Sequence, residues 1–131
     1  MTSSGSLDAN VLLRLLLRDV PKQHRAAANL LTTGGQFAVA DAACMEVIFV
    51  LGRAYELNRA QQKEAVMGLL SQPQILGNAD LFATAFELYE AHPKLSFEDC
   101  YLVSHADVVG SRPLWTFDKK LALQTAAELL V

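Results

Sequence analysis

The chain predicts an α/β sandwich around a parallel sheet, and three observations lead there. Short apolar segments bounded by turn residues alternate with longer segments of helical periodicity, the pattern of strand–helix–strand units. No internal repeat, low-complexity tract or linker divides the sequence. Its 131 residues, 52% of them hydrophobic, suit one compact domain, residues 1–131, that buries roughly two thirds of its unfolded surface.

Each element has a local cause. Residues 11–17, "VLLRLLL", form an apolar run broken only by Arg14, with Asp8 just ahead of it. Asp19 and Pro21 mark the next helix start, since proline suits an early helical position, and "HRAAANLLTTGG" carries that helix to a glycine stop. "QFAVAD" reads as a short strand. Over residues 42–57, Val47, Val50, Leu51 and Ala54 recur at helical spacing. Asn58 with Gln61 three residues on is the sequence of a capping box, opening a helix that Pro73 ends. "QIL" is a brief strand candidate. "GNADLFATAFELYEAH" is a helix with Leu81, Phe82, Ala85, Phe86, Leu88 and Tyr89 on a broad apolar face, stopped by Pro93. Ser96 caps a helix through about residue 109, "RPLWTF" is a strand candidate, and "DKKLALQTAAELL" is a final helix headed by Asp118.

The longest apolar stretches, near residues 11–17 and 47–51, fall far short of the roughly 20 residues of a membrane-spanning helix, so a soluble protein is expected. "MTSSGSLDAN" lacks the charged start, apolar segment and cleavage site of a secretion signal, which makes the cytoplasm the expected location. Cys44 and Cys100 are far apart, in no CxxC and with no histidine at zinc spacing. Both read as small buried side chains. The 11 basic and 14 acidic residues leave a net charge of −3, the opposite of the footprint of a generic nucleic-acid binder. Any contact with nucleic acid is therefore local. Arg14, Arg18, Lys119 and Lys120 are candidates for such a patch, with scattered solvated charges as the default reading.

Four acids have unexpected surroundings. Glu46 is the only charged residue of residues 42–52, set in "AACMEVIFVL" beside a core-facing stripe, so poor access to solvent is expected of it. Asp99 shares a helix face with Leu102, Val103 and Ala106, three, four and seven residues on, and so heads an apolar stripe. Asp118 follows "LWTF" and Asp8 precedes an apolar helical run, both where a strand gives way to a helix. In open α/β sheets the crevice at the carboxyl ends of the strands is where ligands bind. Each acid also has a simpler role. Asp8 and Asp118 can be N-caps worth about 1 kcal/mol apiece. Asp99 can favour the positive end of its helix, and Glu46 can pair with Arg53 or sit on an exposed edge. Clustered carboxylates repel one another, however, and a hard divalent cation such as Mg²⁺ or Mn²⁺ is the usual resolution.

"LDANVLLRLLL", "EVIFVL", "LSFEDCYLVSHA" and "LWTFDKKL", in that order and at these separations, resemble the PIN-domain nucleases and, among them, the VapC toxins of bacterial toxin–antitoxin pairs. The likeness covers nearly the whole chain, and "TFDKKL" is its most distinctive part. It implies a three-layer α/β/α sandwich with a central parallel sheet of four or five strands, the first strand lying in "TSSGSL", where propensity alone places none. The family's metal-binding acids fall on Asp8, Glu46, Asp99 and Asp118, with Asn10 and Thr116 at supporting positions. Glu98 is an additional acid and reads as a bystander. Ala9 stands where a threonine is frequent, which removes a hydroxyl that tunes metal affinity from outside the ligand set.

The resemblance further implies hydrolysis of structured RNA, at a tRNA or a ribosomal RNA loop, by metal-activated water with no protein nucleophile. Asp8, Asp99 and Asp118 would carry Mg²⁺ or Mn²⁺ directly or through water, and Glu46 would complete the pocket. It also implies a homodimer silenced by a VapB-type antitoxin, whose apolar helix would lie on the faces near Phe49, Leu69 and Leu70 or around residues 12–16. Trp115, Phe117 and Tyr101 have the chemistry to stack on unpaired bases, but their apolar neighbours make core packing the expected role. Other classes fit less well. An aspartate-nucleophile phosphatase needs a second aspartate two residues after the first, where this chain has Asn10, and receiver domains need paired N-terminal acids that are likewise missing. A PIN-like scaffold that binds RNA or a protein without catalysis is the alternative, with Ala9 in its favour. His24, His92 and His105 suggest no catalytic triad and read as surface or partly packed residues.

Overall fold

The computed structural model describes residues 3–131. Its elements are α1 (Ala9–Leu16), α2 (Pro21–Leu31), β1 (Phe37–Ala38), α3 (Asp41–Arg53), α4 (Arg59–Leu70), β2 (Ile75–Leu76), α5 (Ala79–Ala91), α6 (Phe97–Val108), β3 (Trp115–Thr116), α7 (Lys119–Gln124) and β4 (Glu128–Leu129). They gather into two compact units, one reaching to Ala79 and the other Asp80–Val131. Among the described residues no helix is long and apolar enough to cross a membrane.

In the first unit the chain before α1 lies extended beside β1. The N–H of Ser4 donates to the Gln36 carbonyl at 2.6 Å, that of Ala38 to Gly5 at 2.8 Å and that of Leu7 to Ala38 at 2.9 Å. Pairing there amounts to one parallel bridge, Ser6 with Ala38, in a segment with few β-forming side chains. On its other side β1 pairs in parallel with β2, Phe37 opposite Ile75 and Ala38 opposite Leu76. Helix α1 packs against α2, α3 and α4, and α3 against α4. Leu12, Val47, Leu51 and Val66 are buried at these contacts, each worth roughly 1.5 to 3 kcal/mol. The void bordered by Leu12, Cys44, Val47, Val66 and Leu70 is about 10 Å³, no more than a single water needs. Of the apolar faces that suit either a partner helix or an ordinary core, Leu12, Leu13 and Leu70 are core residues.

Local chemistry sets the ends of these helices. The capping box at α4 is closed in both directions: the Gln61 N–H donates to Asn58 Oδ1 at 2.8 Å and the Asn58 N–H to Gln61 Oε1 at 2.9 Å. Pro21 opens α2, and the chain leaves it through Gly34 at φ 86°, a conformation that costs glycine little. Helix α3 stops at Arg53, four residues before the end of the predicted segment. Glu56 turns into the left-handed region at φ 56°, and the Leu57 N–H reaches back to the Leu51 carbonyl at 3.0 Å. Tyr55 in this turn donates its hydroxyl to Asp19 Oδ2 at 2.7 Å, while the Arg14 guanidinium pairs with Asp19 Oδ1 at 2.9 Å. These contacts, the tyrosine hydrogen bond first, hold the Asp19 carboxyl below its usual range against a smaller opposing desolvation. His24 is half-buried, its Nδ1 2.8 Å from the Arg14 carbonyl oxygen.

The second unit is built on aromatic packing. Leu81, Phe82, Ala85, Phe86 and Tyr89 recur at helical spacing on α5 and are buried. Phe97 of α6 meets three of the rings, with centroids 5.7 Å from Phe82, 4.8 Å from Phe86 and 5.3 Å from Tyr89. Tyr101 packs on Phe82 in a tilted arrangement, with centroids 5.6 Å apart, and stacks on His105 at 5.7 Å. Such pairs add about 0.5 to 1.5 kcal/mol each beyond the area they bury. The end of α6 is closed by the Ser111 N–H, which bonds to the Ala106 carbonyl at 2.8 Å as the chain turns through Gly110 at φ 72°.

Two expectations are corrected here. The last helix ends at Gln124 and does not continue through residues 125–130. Thr125 is extended, its hydroxyl donates to the Leu121 carbonyl at 2.7 Å and accepts from the Ala127 N–H at 3.1 Å. The side chain thus takes over bonds that would continue a helix, and residues 128–129 become β4. That strand pairs in parallel with β3, Trp115 opposite Glu128 and Thr116 opposite Leu129. The pairing is parallel as expected, but the strands join two by two, so a central sheet of four or five strands is not seen among the described residues. Each strand is two residues long, too short to offer much ladder.

Candidate active site

Asp8 ends the extended segment and starts α1. At φ −86° and ψ 176° it is the N-cap, with Oδ1 accepting from the Val11 N–H at 2.9 Å. The first turn of a helix leaves its N–H groups without intrahelical partners, and a short carboxylate is well suited to take one. Asp118 repeats the device at α7, Oδ1 accepting from the Leu121 N–H at 3.1 Å. Its own N–H donates to Thr116 Oγ1 at 3.0 Å, so the half-buried Thr116 fixes the approach of the backbone to the acid. The N-cap role is therefore real for both residues. Among the described residues nothing bonds to Oδ2 of either, so each carboxylate is held by one oxygen and offers the other to solvent.

Asp99 occupies the third position of α6, where its N–H donates to the Oγ of the N-cap Ser96 at 3.1 Å. Its side chain is half-buried, and that of neighbouring Glu98 is exposed. Of the three residues on its face, Val103 and Ala106 are buried while Leu102 is not. Glu46 lies on α3 next to buried Cys44, Val47 and Ile48, yet it is exposed. The expectation that it lacks solvent access is corrected: with 100° between successive helical residues, position 46 falls about 150° from the centre of the buried stripe, on the solvent face of the helix. It makes no ion pair with Arg53, whose guanidinium instead sits 5.9 Å from the centre of the Phe49 ring.

Asp8 and Glu46 are thus carried in the first unit on two helices that pack together, α1 and α3. Asp8 and exposed Asn10 also line an open pocket of about 380 Å³, closed by Arg14, Gln23 and Leu30. Asp99 and Asp118 belong to the second unit. Among the described residues no group of three or more His, Cys, Asp and Glu side chains is gathered to hold a metal. The donor chemistry itself suits Mg²⁺ or Mn²⁺, being carboxylate oxygens accessible to solvent, two of them oriented by capping, with no thiolate or imidazole among them.

Sequence reasoning missed Trp115 and Phe117. Expected in the core, they are 57% and 77% exposed. Tyr101 is half-buried in the aromatic cluster. The signal available was the charged run Asp118, Lys119, Lys120 directly after "LWTF", which marks the end of burial. Cys44 and Cys100 are buried as expected, and burial pushes the Cys44 thiol up to about 12.

Compared with curated proteins, the chain matches none. A family model described as the PIN domain matches residues 6–127, a span that includes all four acids together with Asn10 and Thr116. PIN domains have a three-layer α/β/α fold and are commonly metal-dependent nucleases, so the match supports a hydrolase of nucleic acids that uses divalent ions. Because the match runs over nearly the whole sequence, the chain belongs to the PIN-domain family.

Proposed function

We propose that this chain is an endoribonuclease dependent on Mg²⁺ or Mn²⁺, the toxin of a VapBC-type toxin–antitoxin pair, acting in the cytoplasm as one PIN-like domain over residues 1–131. The observation that carries this reading is the PIN-domain match over residues 6–127, with three of the four acids at helix starts, Glu46 on the exposed face of α3, and all four reachable from solvent. In it Asp8, Asp99 and Asp118 hold the cation directly or through water, Glu46 completes the pocket and orients water, and Asn10 and Thr116 support them. When bound, such an ion activates water and stabilises negative charge on a phosphodiester. The caps at Val11 and Leu121 aim two of the carboxylates before any ligand arrives, which lowers the ordering cost of binding. The substrate in this reading is a structured RNA cut in a loop of tRNA or ribosomal RNA, where unpaired bases are readable.

A VapB-type antitoxin and a second copy of the chain are the proposed partners. Support for the antitoxin is an open groove of about 590 Å³ in the first unit, with Leu15, Leu16, Leu31 and Leu69 on its walls beside Gln61, Glu64, Gln72 and Gln74, a mixture of apolar and polar chemistry that suits an amphipathic helix. The test is incubation of the purified protein with total RNA in Mn²⁺, in Mg²⁺ and in chelator, alongside Asp99→Asn. Discrete metal-dependent cuts that vanish in the variant support the nuclease. RNA patterns identical under every condition overturn it in favour of the non-catalytic scaffold.

A further inference from the structure

We infer that Trp115 and Phe117 form a stacking platform for unpaired RNA bases, with Lys119 and Lys120 holding the phosphates between them; this rests on the nuclease reading of Asp118. The two rings flank Thr116 and are 57% and 77% exposed. Adjacent residues on an extended chain advance at most about 3.6 Å, so these two Cα atoms are within about 7 Å. Rings so placed can serve neighbouring bases of a single strand. The other large rings of this unit behave differently: Phe82, Phe86, Tyr89, Phe97 and Tyr101 all pack on one another. Neither Trp115 nor Phe117 meets another ring among the described residues. The backbone between them and the acid is fixed by the Thr116–Asp118 hydrogen bond at 3.0 Å.

Charge decides the occupant. Lys119 and Lys120 are exposed and make no ion pair among the described residues. They take the first two positions of α7, where the helix dipole disfavours cations. The dipole therefore gives no reason for two lysines there, on a chain whose net charge is −3. A polyanion gives one. Aromatic faces beside a cationic pair are the recurring chemistry of single-stranded nucleic-acid binding, in which bases stack and the backbone is neutralised. The platform would seat the strand next to Asp118, the acid that follows Phe117 in sequence.

Trp115 is the only tryptophan of the chain, so its fluorescence reports directly on stacking. The full-length protein is titrated in chelator with a short unpaired oligoribonucleotide, and in parallel with the same strand annealed to its complement. Quenching by the unpaired strand and not by the duplex is expected. Phe117→Ala should weaken binding roughly ten-fold, within the range found for loss of one stacked base, and Phe117→Tyr should restore it. Replacing both lysines by glutamine should flatten the slope of log affinity against log salt by about 1.4, at 0.7 per single-strand phosphate contact. No quenching by unpaired RNA, equal quenching by the duplex, or a Phe117→Ala variant that changes only its oligomeric state would each overturn the platform. Cleavage of total RNA without quenching defeats the platform alone; quenching without metal-dependent cleavage defeats the nuclease reading and, with it, the platform's role in seating a strand for cutting, while base stacking itself is observed.

Discussion

Asp118 joins a structural task to the proposed chemical one, and substitution can separate them. Its Oδ1 accepts the Leu121 N–H at 3.1 Å at the head of a helix of 6 residues. So short a helix depends heavily on its cap and its packing. Asp118→Ala removes the cap and should cost about 1 kcal/mol, a fall of about 4 °C in Tm for a chain of this size. Asp118→Ser keeps a capping oxygen of similar quality. It loses the attraction of a carboxylate for the helix dipole, a few tenths of a kcal/mol at an exposed site, so its Tm should stay within about 2 °C of the parent. Cleavage of RNA should fall to background in both variants, because neither presents a carboxylate. Thermal unfolding followed by circular dichroism, run beside the RNA assay, reads both quantities from one preparation. Adding Mn²⁺ should raise the Tm of the parent protein, as any ligand of the native state does, and leave Asp118→Ser where it was. Undiminished cleavage by Asp118→Ser would show that the acid serves only as a cap. An unchanged Tm in Asp118→Ala would refute the capping account.

Three further outcomes are expected. Phe97→Ala removes the ring shared by Phe82, Phe86 and Tyr89 and should destabilise the protein by about 3 to 5 kcal/mol, measured by urea unfolding. The Asp19 carboxyl, held low chiefly by the Tyr55 hydroxyl and then by Arg14, adds stability that is fully present at neutral pH and fades as pH falls below about 4; Tyr55→Phe should move its NMR titration upward, and an unmoved midpoint would deny the tyrosine its role. Cys44, with its thiol pushed up to about 12, and the fully buried Cys100 should stay unmodified by an aromatic disulfide reagent at neutral pH until denaturant is added, since reaction requires an accessible thiolate.

What could be read from the sequence was mostly what neighbouring residues decide among themselves. Asn58 with Gln61, Ser96, Asp118 and Pro21 each act within three or four positions, and each stands where its local chemistry placed it. The last helix escaped because Thr125 resolves a local competition in favour of its own hydroxyl, and helical periodicity is blind to that choice. Strand pairing escaped for a different reason: β1 meets β2 across more than thirty intervening residues, and two-residue strands carry too little alternation to announce a partner. Asp8, Asp99 and Asp118 were legible as residues at helix starts beside apolar sequence, while the exposure of Glu46 was not, since Glu46 and Val47 are neighbours in sequence but 100° apart around the helix, which puts Val47 in the buried stripe and Glu46 on the solvent face. Trp115 and Phe117 show the same limit. Apolar chemistry argues for burial, but a protein surface always retains apolar groups, and sequence does not say which.

The pairing of β3 with β4 has a consequence for the order of biosynthesis. The Glu128 N–H donates to the Leu114 carbonyl and the Leu130 N–H to that of Thr116, at 2.9 and 2.7 Å. Translation proceeds from the N-terminus, so "LWTF" leaves the ribosome before the stretch that anchors it. A nascent chain halted ahead of residue 128 carries Asp118 but lacks the ladder that braces Thr116 beneath it. A protein proposed to cut RNA thus completes the setting of Asp118, the last of its four proposed metal-binding acids, only after that acid has been made, once the chain has passed Leu130.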